Sequence, residues 1–225
     1  MSQLDSVDGV LPFLLRMIAH DLKGLLGTPG LLLHLAESAE DDAELEVRLA
    51  ALRESFKALD RAVTDVGDIG HAVGNGVPPS LHPTDVRGLV ETTLALAASA
   101  ARQRRIELVA ALAPGPWPPV LGDADVLTRT FQRLVFWGVT HTSSGARLEV
   151  EAGIEDGSFV LRVPAGPAAL APVPTVKERL AELGRGEREL GVALPLAREA
   201  LERHGGTLTT RADGVLEARI PLKAS

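Results

Sequence analysis

A histidine followed at once by a carboxylate, with a cation about one helical turn to either side, is the arrangement in this chain best suited to chemistry. It comprises Arg16, His20, Asp21 and Lys23. The imidazole is usable only if it faces outward. Leu11, Leu14, Leu15, Ile18, Leu22, Leu25 and Leu26 recur at steps of three and four, which predicts an amphipathic helix. At about 100° per residue His20 lies about 200° from both Ile18 and Leu22, away from the apolar stripe. Arg16 precedes it by one turn and Lys23 follows it by one turn, so the sequence places a reactive imidazole among charged groups on a helix surface.

The elements that must position this group fall into two parts. A first helical pattern covers about 10–37 and a second covers 42–70, the latter with Leu45, Val47, Leu49, Leu52, Phe56, Leu59, Val63 and Val66 as its apolar residues. The acidic run Glu37 to Glu46 reads as a solvated turn between them. One hairpin cannot bury both stripes, whereas two hairpins paired in a four-helix bundle can, so a homodimer is expected. Gly74-Asn75-Gly76-Val77-Pro78-Pro79 opens a linker over 74–84. Beyond it helices and strands mix. Helices are predicted over Asp85–Gln103, Ala124–Val139 (capped by Asp123) and Leu190–Arg203. Strands are predicted over Arg105–Leu112, Leu148–Ile154 and Phe159–Val163, with a last hairpin over Thr207–Leu222 turning at Asp213-Gly214. The fold class is therefore α+β: an N-terminal helical hairpin (1–73) forming a dimeric four-helix bundle, then a two-layer α/β sandwich (85–225) with helices over one face of a mixed sheet.

Composition narrows the function. The 225 residues are 45% apolar but only 3% aromatic. There is no cysteine, which removes disulfides, thiolate catalysis and cysteine-ligated zinc. Residues 1–73 hold six Lys/Arg and thirteen Asp/Glu, the whole net charge of −7; the other 17 basic and 17 acidic residues cancel. No basic stripe is present to neutralise phosphates, so a nucleic-acid partner is not expected. No apolar run reaches the roughly 20 residues of a membrane span, and Asp5 and Asp8 stand where a signal peptide needs cations. A cytoplasmic location and no membrane association are expected. His34, His71, His82, His141 and His204 show no metal-ligand spacing with a third donor, so no metal site is expected.

The order of landmarks resembles the catalytic core of a sensor histidine kinase: a dimerisation and phosphoacceptor hairpin followed by a Bergerat-type ATPase-like domain. His20-Asp21-Leu22-Lys23 resembles the family's H-box. Gly122 to Leu127 followed by Phe131 to Thr142 resembles the segment leading through the N-box. Ala197 to Gly206 resembles the helix after the second glycine box. The resemblance spans about residues 10–222.

Three departures bear on what it implies. Arg133 and Trp137 stand where the N-box has two asparagines, and an indole offers magnesium no oxygen. Val163 to Ala169, including Ala165 and Gly166, matches the first glycine box but lacks its adenine-reading aspartate. In the second glycine box only Gly191 remains, while Glu187 and Glu189 place negative charge where phosphate would lie. The resemblance thus implies a degenerate nucleotide site and no cofactor of the chain's own. It implies a histidine phosphotransferase similar to the kinase-derived dimeric type, exchanging a phosphoryl group with response-regulator receiver domains that carry their own Mg²⁺. Within it His20 is the phosphoacceptor and Asp21 orients the imidazole. Arg16 and Lys23 face the phosphoryl oxygens, and Gly24 and Gly27 leave bare backbone for a partner helix. Gly24 also occupies the position where the family's phosphatase element has an amide or hydroxyl. Two other readings stand beside this one: a divergent ATP-dependent kinase, and a pseudokinase that only binds a response regulator.

Overall fold

The computed structural model describes residues 19, 23–24, 26–73, 78–166, 172–184 and 191–222. The chain divides into two compact units: 1–76 with 177–190, and 77–176 with 191–225.

In the first unit a helix over 26–37 (α1) and a helix over Asp42–Val73 (α2) are joined by a turn. The acidic turn has a structural task beyond solvation. The Glu44 N–H donates to Asp41 Oδ1 (2.7 Å) and the Glu40 N–H donates to Glu44 Oε2 (2.9 Å), which satisfies donors left open at the start of α2. Arg48 then donates both to the Leu35 carbonyl at the end of α1 and to Glu44, tying the two helices across the turn.

The second unit begins with β1 (His82–Thr84), α3 (Val86–Gln103), β2 (Glu107–Leu112), β3 (Val120–Gly122), α4 (Ala124–His141), β4 (Arg147–Glu155) and β5 (Ser158–Pro164). After α5 (Val176–Gly184), which groups mostly with the first unit, it continues through α6 (Ala193–Arg203), β6 (Thr207–Thr210) and β7 (Val215–Pro221). The main sheet has the order β2-β4-β5-β7-β6; β2 and β4 are parallel and every other neighbour is antiparallel. β1 and β3 pair separately. Alternation along the strands sends Leu148, Val150, Phe159, Leu161, Val163, Leu216, Ala218 and Ile220 inward, where they meet Leu127, Phe131, Leu134 and Leu201 of the helices. Phe131 and Phe159 lie 5.4 Å apart at the centre. The sandwich expected from sequence is the one observed.

Asp85 and Asp123 cap α3 and α4, each accepting two N–H bonds from the first turn of its helix, and Asp123 accepts a third from Ser80. On the sheet's other face Arg162, partly buried, binds Glu155 at 2.5 and 2.6 Å and Glu217 at 2.8 Å. The Arg162 hydrogen bond and charge hold the Glu155 carboxyl below the usual range. Burial pushes Glu217 up, but Arg219 and Arg162 outweigh it and leave that carboxyl lowered as well. Gly206 is required by close approach: a Cβ there would sit 2.2 Å from the Arg219 carbonyl oxygen.

The sequence reading missed three elements. β1 and β3 are three-residue strands in proline-rich stretches and exist through pairing with each other. α5 is a short polar helix beyond another proline-rich run.

Candidate functional site

Arg16, His20 and Asp21 lie outside the described residues, as do Glu187 and Glu189. Lys23, Gly24 and Gly27 are helical and exposed. Among the described residues, a Cβ added at Gly24 or Gly27 would meet nothing within 4 Å. Three or four residues further on, α1 shows apolar side chains on two sides. Leu26 and Leu33 (50% exposed) occupy one; Leu31 (61% exposed) and Leu35 occupy another, about 140° to 180° round the helix at 100° per residue. Gly24 and Gly27 share the second side. On α2, Phe56 (54% exposed) and Val63 stand a heptad apart on one face, both open to solvent.

The positions that the sequence resemblance assigns to a nucleotide site, Gly191 apart, gather on the second half of α4 and the end of β5. Trp137 is half-buried and packs against the core; its indole stacks on His141 with ring centroids 4.0 Å apart and planes 22° from parallel. The stack is held by helix spacing, since His141 Nδ1 lies 2.9 Å from the Trp137 carbonyl oxygen. The indole N–H is buried and, among the described residues, has no acceptor. Arg133 lies one turn earlier on α4 and is half-buried. Gly138 lets the helix approach β5: a Cβ there would be 2.5 Å from Val163 Cγ1 and 3.1 Å from the Pro164 carbonyl oxygen. Ala165 is buried, and its N–H donates to the Gly214 carbonyl at 2.9 Å. Gly166 follows with φ of 66°, and Gly191 has φ of 51° before α6. These residues offer an aromatic pair, backbone and a guanidinium. The Trp137 and Arg133 side chains have no oxygen with which to hold a metal ion. Among the described residues no three His, Asp or Glu groups are placed to bind a metal ion.

The sequence reading did not find a polar clamp between α4 and α6. The buried His204 ring accepts the Asp123 N–H at Nε2 (3.0 Å), and its Nδ1–H donates to the Ala200 carbonyl (2.6 Å), which assigns the neutral Nδ1–H tautomer. Burial pushes the Asp123 carboxyl up, but N–H donors from Val126, Ser80 and Asp125 prevail and leave it lowered. Its sequence signals were the cap at Asp123 and a histidine directly after a helix.

No protein-family model matches the sequence, and no curated protein matches it. Solved structures do. The histidine kinase AdeS of Acinetobacter baumannii superposes with a TM-score of 0.59 at 15% identity, over 93% of this chain and 98% of that one. Full-length ShkA, in complex with AMPPNP, superposes with a TM-score of 0.55 at 21% identity, over 95% of this chain and 47% of ShkA, so the chain spans about half of that protein. The chain has the α+β fold of a histidine kinase core, a dimerisation-type helical hairpin followed by an ATPase-like domain. No helix among the described residues is long and apolar enough to cross a membrane.

Proposed function

We propose that this chain is a dimeric histidine phosphotransferase of a two-component phosphorelay, which passes a phosphoryl group between His20 and receiver-domain aspartates without using ATP. The observation that carries this reading is Trp137. It fills the N-box position with a half-buried indole packed on the core and stacked on His141, where a kinase needs an amide oxygen for Mg²⁺. Ala165, buried and bonded through its N–H to Gly214, adds the loss of the adenine-reading carboxylate.

The histidine needs no nucleotide if a receiver brings the phosphoryl group as an aspartyl phosphate. His20 Nε2 attacks phosphorus in line; the N–P bond forms as the P–O bond to the aspartyl carboxylate breaks, and the carboxylate leaves with the electron pair. Asp21 accepts the Nδ1–H bond, keeping Nε2 nucleophilic and stabilising the charged ring. Arg16 and Lys23 face the phosphoryl oxygens. The divalent ion stays with the receiver, and this chain holds no cofactor. In this reading a receiver covers the side of α1 that carries Gly24, Gly27 and Leu31. Leu26, Leu33, Phe56 and Val63 are then left for a second copy, in a four-helix bundle.

The test is incubation of the purified protein and its His20→Ala variant with Mg-ATP labelled at the γ-phosphate. We expect neither to be labelled. Acid-labile label on the wild type alone would make the chain an ATP-dependent kinase and overturn the reading.

A further inference from the structure

Most arginines of the described residues are committed within the fold: Arg48 to Glu44, Arg87 to Glu91, Arg147 to Glu149, Arg162 to Glu155 and Glu217. Arg102 and Arg105 are exposed and have no carboxylate or carbonyl partner among the described residues. They flank the corner where α3 turns into β2. Between them Arg104 donates to the Thr140 carbonyl (2.9 Å) at the end of α4.

Backbone geometry makes this corner unusual. The Ile106 N–H donates back to the Ala101 carbonyl (2.8 Å) and the Arg105 N–H donates to the Arg102 carbonyl (2.9 Å), while the Ile106 side chain is buried. That closure forces Arg105 into the left-handed region at φ 58°. The Gly145 N–H donates to the Arg105 carbonyl (3.0 Å) and fixes the turn from the other side. Among the described residues the other non-glycine with positive φ is Asp156, a type that tolerates hairpin turns. Glycine is what such a position favours, and an exposed arginine gains no packing there. Arg102, in the last turn of α3, complements the helix dipole; Arg105 lies beyond the helix, so the dipole does not account for it. Neither packing nor the helix dipole within the fold accounts for an arginine in this conformation.

We propose that the α3–β2 corner docks an acidic polypeptide segment, with Arg102 and Arg105 as its anchoring cations. The other charged groups at the corner are Arg104, held on Thr140, Glu107, and the paired Arg147 and Glu149. Exposed guanidinium contacts are individually weak in water, so a free ion is held poorly. A chain bearing successive carboxylates makes several contacts at once.

The test uses the full chain, a fluorescent Asp/Glu decapeptide and inorganic phosphate, read by anisotropy and by backbone amide shifts. We expect peptide-induced shifts at residues 102–107, abolished by raised salt, and no such shifts with phosphate at equal concentration. Arg105→Gly should weaken peptide binding by about three- to fivefold while raising Tm by about 2–4 °C. Absence of shifts at the corner, equal shifts with phosphate, or unchanged affinity in a folded Arg105→Gly protein would each overturn the proposal.

Discussion

The two units of this chain differ in how much of their own apolar surface they cover. In the α/β unit Phe131, Phe159, Leu127, Leu148 and Leu161 are fully enclosed, Asp85 and Asp123 cap α3 and α4, and Leu81 and Leu96 are its exposed large apolar side chains among the described residues. The hairpin leaves Leu26, Leu31, Leu33, Phe56 and Val63 open, and carries two glycines, Gly24 and Gly27, whose added Cβ would meet no described residue within 4 Å. A finished unit gains little from a partner, whereas an unfinished one needs partners to complete it. On the proposed reading, chemistry has stayed with the unfinished hairpin, and the finished unit has closed its former ligand site with Trp137 and Ala165.

The comparison can be broken most sharply at the hairpin. Charge placed in the exposed seam by Leu33→Glu with Phe56→Glu should halve the mass seen by sedimentation, because two buried carboxylates cannot be tolerated in a bundle core; an unchanged mass would remove the second copy from the account. In the α/β unit, Gly206→Ala should cost about 3 kcal/mol or more, since its Cβ meets a backbone oxygen that cannot move aside. Urea unfolding followed through Trp117 and Trp137 fluorescence measures it, and a loss below about 1 kcal/mol would show that the close approach relaxes. His204→Ala should cost about 2 kcal/mol in the same assay, because the Asp123 N–H loses its acceptor.

The smallest effect is acid sensitivity of the finished unit. Asp123, Glu155 and Glu217 all have lowered folded pKa values. The stability they add is therefore present above the ordinary carboxylate range of about 4 and is lost as pH falls through the lower folded values. Thermal melts between about pH 5 and pH 3 should show a declining Tm that Asp123→Asn makes shallower. A decline equally steep in that variant would remove Asp123 from the cause.

What the sequence made legible follows the reach of each interaction. The helices over 85–103 and 124–139 were readable because caps and apolar periods are local, and they lie within two residues of α3 and α4. The Trp137–His141 stack sits at i,i+4, so its two members were readable in the sequence while their ring geometry was not. β1 and β3 depend on each other across almost 40 residues, and nothing local marks either. The strand expected from Arg105 begins at Glu107, because burial of Ile106 closes the end of α3 and turns Arg105 left-handed where no glycine signals a turn. The pairing of Asp123 with His204 joins residues far apart in the chain, and each alone reads as an ordinary cap and an ordinary histidine. Of the group around His20, Lys23, Gly24 and Gly27 are described, exposed on a helix, while Arg16, His20 and Asp21 lie outside the described residues.

The measurement that tests the central claim most directly is transfer without nucleotide. Purified receiver domains, loaded with labelled phosphate on aspartate from a small phosphodonor and freed of it, are mixed with the wild-type chain and with His20→Ala. The account predicts that at least one receiver passes acid-labile label to the wild type and none to the variant. Binding of a receiver with no label transferred, or equal labelling of the His20→Ala chain, would contradict it.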